Sequence, residues 1–219
     1  MLIRSQFRPL IRHLLCVALA GACAIGFGSE GSTGENIIPN GDFSKGNVGF
    51  TSDLPYVKPE YNCIWEGKYT IASKFNDPQL HKLIAPEAFQ APVNHSGHAK
   101  VLFANAYGKE PMVLWSSEVK CKPGTRYLIS FNCMSLTGYM VDGNPPHQVA
   151  TLEWAPDFEI SANGIPSVPI QAGLGKFYKG SMYWDSEKAT TATVTITRNK
   201  FPHGGAIVAI SNIEMVPVK

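Results

Sequence analysis

Much of the chain after residue 98 alternates apolar and polar residues with a period of two. Val101 and Phe103 share a face within residues 99–104. Tyr127, Ile129, Phe131 and Cys133 share another while Ser130 and Asn132 point the opposite way, and Ala192, Val194 and Ile196 alternate with Thr191, Thr193, Thr195 and Thr197. Such alternation marks half-buried antiparallel strands. Clusters of Gly, Pro, Asn and Asp separate the runs, as in DGNPP at 142–146 and ANG at 162–164, at the spacing of a sandwich. The pattern predicts an all-β fold, a two-sheet antiparallel β-sandwich. Residues 76–97, rich in Pro, His and Asn, alternate poorly and read as a long loop with a short helical turn near 86–89.

The N-terminus follows a different pattern. Arg4, Arg8 and Arg12 stand without any acid and precede an apolar run over residues 14–27. A positive segment followed by an apolar run shorter than the ~20 residues of a membrane-spanning helix is a signal peptide. Ala22-Cys23-Ala24 supplies the small-x-small cleavage pattern, which assigns residues 1–24 to the signal and starts the mature chain near Ile25. Lipid anchoring at Cys23 is the alternative, because LAGAC at 19–23 comes within one residue of a lipobox. Residues 25–35 then form a flexible tether, with GSEGSTGE at 28–35.

Export changes the charge. The +2 of the whole chain becomes 16 basic against 17 acidic side chains once the three arginines leave. A nearly neutral domain lacks the basic footprint that a phosphate backbone requires, so nucleic acid is excluded as a partner. About 190 residues remain, the size of one large sandwich, with no further transmembrane span expected. Three cysteines also remain, Cys63, Cys121 and Cys133. They allow at most one internal disulfide, for which Cys63 is the expected partner of one of the others, and the equally good reading is three small buried hydrophobes.

Motif and spacing arguments remove several chemistries. There is no nucleophile elbow, phosphate loop or metal-ligand cluster. His81, His95 and His98 have no Cys or acid at ligand spacing, and read as solvated loop histidines rather than a zinc site. Asp157 and Glu159 lie two apart on one strand, side by side, whereas glycosidase acids face each other across a bond. The threonine row at 191–197 is a good solvent face and too short for an ice-binding array. The chain is expected not to be an enzyme.

Three segments carry a family resemblance. Asn40-Gly41-Asp42-Phe43, Gly46-Asn47, Gly49-Phe50 and Ser52-Asp53 are followed by Leu114-Trp115-Ser116, Val119, Pro123-Gly124-Thr125 and Tyr127, and by GGAIVAISNIEM at 204–215. In that order the chain resembles secreted bacterial carbohydrate-binding modules of the galactose-binding-like jelly-roll type. The resemblance covers nearly everything after residue 35 and implies one domain over 36–219, with polysaccharide or a cell-surface glycan as partner. It also implies a structural calcium held by an acid after NGDF and an Asp-Asp pair in the last strand. Ser44 and Ser211-Asn212 stand at those places, which leaves Glu35 and Asp42 as carboxylates able to contribute, and no cofactor is expected.

Sugar-binding sandwiches stack aromatic rings on pyranose faces and read hydroxyls with amides and carboxylates. Trp115 and Trp154 share strand parity with apolar neighbours, Trp115 with Val113 and Val119, and are expected in the core. Tyr56, Tyr61, Trp65 and Tyr139 lie among turn-forming and polar residues, so they are the expected ligand platform. The function expected is a secreted or surface-attached, non-catalytic carbohydrate-binding domain. The alternative is an adhesion or extracellular-matrix protein that uses the same sandwich for protein or cell-surface contacts.

Overall fold

The protein is described by a computed structural model over residues 34–59, 67–73, 100–106, 111–135, 140–142, 147–149, 157–174, 177–200 and 207–218. The chain forms β1 (Lys68–Ala72), β2 (Val101–Asn105), β3 (Met112–Lys120), β4 (Arg126–Ser135), β5 (Met140–Asp142), β6 (His147–Val149) and β7 (Asp157–Ala162). It continues through β8 (Ile165–Pro166), β9 (Ile170–Gln171), β10 (Gly173–Leu174), β11 (Tyr178–Asp185), β12 (Thr191–Lys200) and β13 (Ile207–Pro217). One sheet runs β1-β2-β13-β4-β10, with β11 also on β4, and the other runs β3-β12-β7-β8, with β9 also on β7. Strands β5 and β6 pair with each other. This is the expected two-sheet β-sandwich, antiparallel except for the short β10–β4 contact.

The periodicity explains the layers. Tyr127, Ile129, Phe131 and Cys133 of β4 face inward toward Phe158, Ile160, Val194 and Ile196 of the other sheet, all buried in one core. Phe131 meets Phe158 edge to face at 5.9 Å between ring centroids. Ala192, Val194 and Ile196 are buried, while Thr191 and Thr193 are exposed and Thr195 and Thr197 half-buried. The Asn163-Gly164 turn joins β7 to β8 with φ of 50° and 78°, the left-handed pair that a tight hairpin needs.

Two local expectations change. Trp115 is buried opposite Ile196 and Val119 opposite Ala192, but Val113 pairs with the outward Thr197. The register shifts between Ile196 and Thr197, so Leu114 is the extra residue of a β-bulge, and the strand's parity reverses across it. The Pro123-Gly124 turn, a dipeptide that in sequence reads as a tight turn between paired strands, instead carries the chain between sheets, since β3 pairs with β12 and β4 with β11 and β13. Its hydrogen bonds reach the β11–β12 connection. Gly124 N donates to Glu187 O at 2.6 Å, Thr125 N to Ser186 Oγ at 2.9 Å, and Ser186 Oγ to Lys122 O at 2.7 Å. Tyr127 closes the corner by accepting Lys122 N on its hydroxyl at 2.8 Å.

The residues that carry the family resemblance are scaffold. Asn40, at φ 58°, donates from Nδ2 to Gly46 O at 2.9 Å and Val48 O at 2.8 Å and accepts Lys45 N on Oδ1 at 2.9 Å. Phe43 is fully buried and meets Phe50 at 5.6 Å, and Phe50 in turn stacks on Trp115 at 6.3 Å. Thr51 and Ser116 exchange backbone hydrogen bonds of 2.9 Å, and Asp53 Oδ2 accepts Val113 N at 2.7 Å. The GFTSD segment thereby lines the edge of β3.

Gly41 lies against the last strand. Its carbonyl accepts Ile213 N at 2.9 Å, and a Cβ there would run into the Ile213 carbonyl oxygen. Gly46 has φ +74° but open space around it. Gly41→Ala is therefore expected to destabilise by about 2 to 3 kcal/mol through forced backbone displacement, against about 1 kcal/mol for Gly46→Ala. Urea denaturation of the two variants checks the order, and equal losses would contradict the close-contact account.

Candidate functional site

Of the four aromatics expected as a platform, Tyr56 is placed. It forms a parallel bridge with Tyr69 at the edge of β1, with Tyr69 N donating to Pro55 O at 3.1 Å and Val57 N to Tyr69 O at 2.8 Å. Its ring packs on Tyr69 at 5.5 Å and stays 37% exposed. The Tyr69 hydroxyl donates to Asn47 Oδ1 at 2.6 Å, and burial pushes its pKa above the ordinary value. Tyr56 is thus the outer member of a ring series that continues through Tyr69 and Phe50 to the buried Trp115. Tyr61, Trp65 and Tyr139 lie outside the described residues, as do Trp154, Cys63, the three loop histidines and the N-terminal signal with Cys23.

A second surface emerges from strand register. Across β13, β4 and β11 the residues facing away from the core line up in rows: Ser211, Asn132 and Lys179, then Glu214, Ser130 and Ser181, then Val216, Leu128 and Tyr183. Arg126 and Asp185 complete a fourth row. Val101, Phe103, Met134 and Ala209, on the same face of the sheet, are fully buried, and Ser130, Ser211 and Val216 are buried as well, so the face is open only along β11 and at the half-buried Leu128, Asn132 and Glu214 beside it. There Tyr183 is 53% exposed, whereas Tyr178, 57% exposed at the start of the strand, pairs with the inward Cys133 and so belongs to the opposite face.

Hydrogen bonds and charge pairs organise this face. Lys179 Nζ approaches Glu214 Oε2 at 3.3 Å, and Ser130 Oγ donates to the same oxygen at 3.4 Å. Arg126 Nε pairs with Asp185 Oδ1 at 3.2 Å, and its guanidinium sits 5.5 Å from the Tyr183 ring centroid. These exposed pairs add little stability, but they hold the side chains in place and cancel their charges locally. Hydroxyl, amide and carboxylate groups beside an exposed ring are the chemistry that reads sugar hydroxyls and stacks on a pyranose face. The sequence pattern put Ser130 and Asn132 outward. It did not show that Lys179, Tyr183 and Glu214 flank them, because that neighbourhood is set by pairing between strands far apart in the chain.

Other candidate chemistries fare differently. Asp157 and Glu159 alternate with buried Phe158 and Ile160, and Glu159 Oε2 accepts Asn199 Nδ2 at 2.9 Å. The pair lies side by side on one strand, as expected. Glu35 is exposed, and Asp42 Oδ1 accepts both Ser44 N at 3.0 Å and Ser44 Oγ at 2.8 Å. Among the described residues no three His, Cys, Asp or Glu side chains gather around a metal position. No helix among them is long and apolar enough to cross a membrane.

Cys121 and Cys133 are free thiols. Cys133 Sγ donates to Tyr178 O at 3.6 Å, and burial pushes its pKa from 9.0 up to about 12. Burial also raises Cys121. Above pH 9.0 the unfolded chain loses thiol protons that the folded chain keeps, so folding stability falls as pH rises toward about 12. Cys133→Ala is expected to flatten this fall by up to about 1.4 kcal/mol per pH unit. Urea denaturation at alkaline pH checks it, and an unchanged slope would contradict the buried neutral thiol.

No family model and no curated protein sequence matches this chain. Solved structures do. TmCBM61 in complex with β-1,4-galactotriose aligns over 83% of this chain and 97% of its own at 11% identity and a TM-score of 0.46. The CBM22-1 xylan-binding domain from Paenibacillus barcinonensis Xyn10C aligns over 79% and 88% at 11% identity and a TM-score of 0.43. The arabinose-bound MgGH51 α-L-arabinofuranosidase aligns over 87% of this chain but 27% of its own, at 11% identity and a TM-score of 0.50. The β-sandwich fold is shared. Identity this low carries the fold alone, and the ligand has to be argued from the side chains.

Proposed function

We propose that this chain is an exported, non-catalytic carbohydrate-binding domain. The observation that carries the reading is the outward face of β4, β11 and β13, where the half-buried Asn132 and Glu214 and the exposed Lys179 and Ser181 stand in register beside the exposed Tyr183, with Ser130 and Ser211 buried beneath them. The pairing of Lys179 with Glu214 and of Arg126 with Asp185 favours a neutral polysaccharide or cell-surface glycan over a polyanion, because little net charge remains to attract one. Tyr56, with Tyr61, Trp65 and Tyr139, is proposed as a second set of sugar-stacking rings. Export by residues 1–24, with lipid anchoring at Cys23 as the alternative, would put the domain where polysaccharides are met.

The adhesion reading has its own observation. Ile165 is 56% and Val168 77% exposed beside the short strands β8 and β9, and exposed apolar side chains at a sheet edge suit a protein contact.

The test uses chain recovered after export, whose N-terminus is expected near Ile25, in pull-downs on insoluble polysaccharides and on a glycan array. Tyr183→Ala is expected to weaken binding about tenfold or more, a loss of about 1.4 kcal/mol, while leaving stability within about 0.5 kcal/mol. Trp115→Ala is expected to cost about 3 to 5 kcal/mol of stability. Tyr56→Ala, Trp65→Ala and Tyr139→Ala report on the second set of rings. Glycan binding unaffected in all four of these ring variants would overturn the site. Binding to no glycan, with a protein partner lost on Ile165→Ser and Val168→Ser, would replace the proposal by adhesion.

A further inference from the structure

The calcium that the family resemblance implies does not fit the residues at the turn following Asn40-Gly41-Asp42-Phe43. Calcium needs six to eight hard oxygen ligands, with carboxylates among them. Asp42 Oδ1 is engaged by the Ser44 amide and hydroxyl. The Ser44 carbonyl oxygen accepts the Lys100 ammonium at 2.9 Å, so a positive charge already sits at the turn. Lys100 immediately precedes β2 and is half-buried, 56 positions along the chain from Ser44. A divalent cation brought to the same carbonyl would meet the repulsion of that ammonium in a partly desolvated place.

The last strand shows a matching replacement. Its Asp-Asp positions are Ser211 and Asn212, and Asn212 takes φ 48° where the β13–β4 register shifts. This part of the strand is tied to the N-terminal segment by a neutral amide. Asn36 Oδ1 accepts Ile38 N at 3.0 Å and Met215 N at 2.9 Å, and Asn36 Nδ2 donates to Ile213 O at 3.1 Å. Cross-links of the kind a metal supplies are therefore made by side chains of the protein itself, an ammonium at the turn and an amide at the last strand.

We infer that Lys100 is a built-in cation that fastens the Asp42-to-Gly46 turn to β2 and keeps divalent metal out of it. The protein then needs no calcium to hold its N-terminal segment. Charge of the opposite sign at the same position should convert the turn into a cation site, because a carboxylate would join the Ser44 carbonyl and the Asp42 side chain.

The experiment is a set of thermal melts of the full mature chain in excess EDTA and in millimolar calcium chloride, with terbium luminescence as a direct probe of cation binding. The wild-type melting temperature is expected to be the same in both solutions, with no saturable terbium signal. Lys100→Met is expected to melt about 3 to 8 °C lower, with no calcium response. Lys100→Glu is expected to melt low in EDTA and to recover in calcium. A wild-type melting temperature that falls in EDTA, or a saturable terbium signal, would overturn the inference. So would a Lys100→Met variant as stable as the wild type, or a Lys100→Glu variant indifferent to calcium. Should Lys100→Met fail to fold, the wild-type melts and the terbium titration still decide the matter.

Discussion

The close contact of Gly41 with the Ile213 backbone is the constraint on which the N-terminal half of this sandwich depends. It lets the segment before the first strand lie flat on β13, where the Asn36 amide bonds to Met215 and Ile213. With the segment held there, Phe43 is delivered into the core, Phe50 onto Trp115 and Thr51 to Asp53 onto the edge of β3. Both sheets are thereby joined by one stretch of chain that is not itself a regular strand. A larger residue at position 41 would lift the whole stretch, and the rings behind it would lose their partners.

That constraint also explains why the family-like motif says so much about architecture and so little about ligand. Asn40, Gly41, Phe43, Gly46, Gly49 and Phe50 are occupied with turn geometry and core packing. Pro123, Gly124 and Tyr127 build the crossing from one sheet to the other. The chemistry proposed for a ligand lies elsewhere, on residues of β13, β4 and β11 whose types are common on any polar strand face. What distinguishes them is their register: Lys179 beside Asn132, Glu214 beside Ser130, Tyr183 beside Leu128.

The fold was legible because period-two alternation is a local signal, written in Tyr127 to Cys133 and in Thr191 to Thr197. The parity expected of Val113, Trp115 and Val119 failed at the bulge at Leu114, where an extra residue turned Val113 to the face opposite Trp115. Pairing was the larger gap. The Pro123-Gly124 turn looks like a hairpin turn in sequence, and only the bonds from Gly124 and Thr125 to Glu187 and Ser186 reveal a corner between sheets. The candidate site was half legible for the same reason. Ser130 and Asn132 were placed outward, while the identity of their neighbours depended on strands about 50 and about 80 residues downstream. Tyr56 lies at an exposed sheet edge, anchored on Tyr69 rather than free in a loop.

Taken together, the sandwich separates its duties. Motif residues and the Lys100 and Asn36 ties hold the frame, the inner faces supply the core, and the open side of the six-stranded sheet is left with the Ser181 hydroxyl, the Asn132 amide, neutralised charges and the exposed Tyr183. The central claim is that ligand meets the protein on that open side. Backbone amide chemical-shift mapping during titration with a soluble oligosaccharide tests it most directly. The account predicts shifts concentrated at Ser130, Asn132, Lys179 to Asp185 and Glu214. Shifts concentrated instead along Asn40 to Asp53, or on the threonine face of β12, would contradict it.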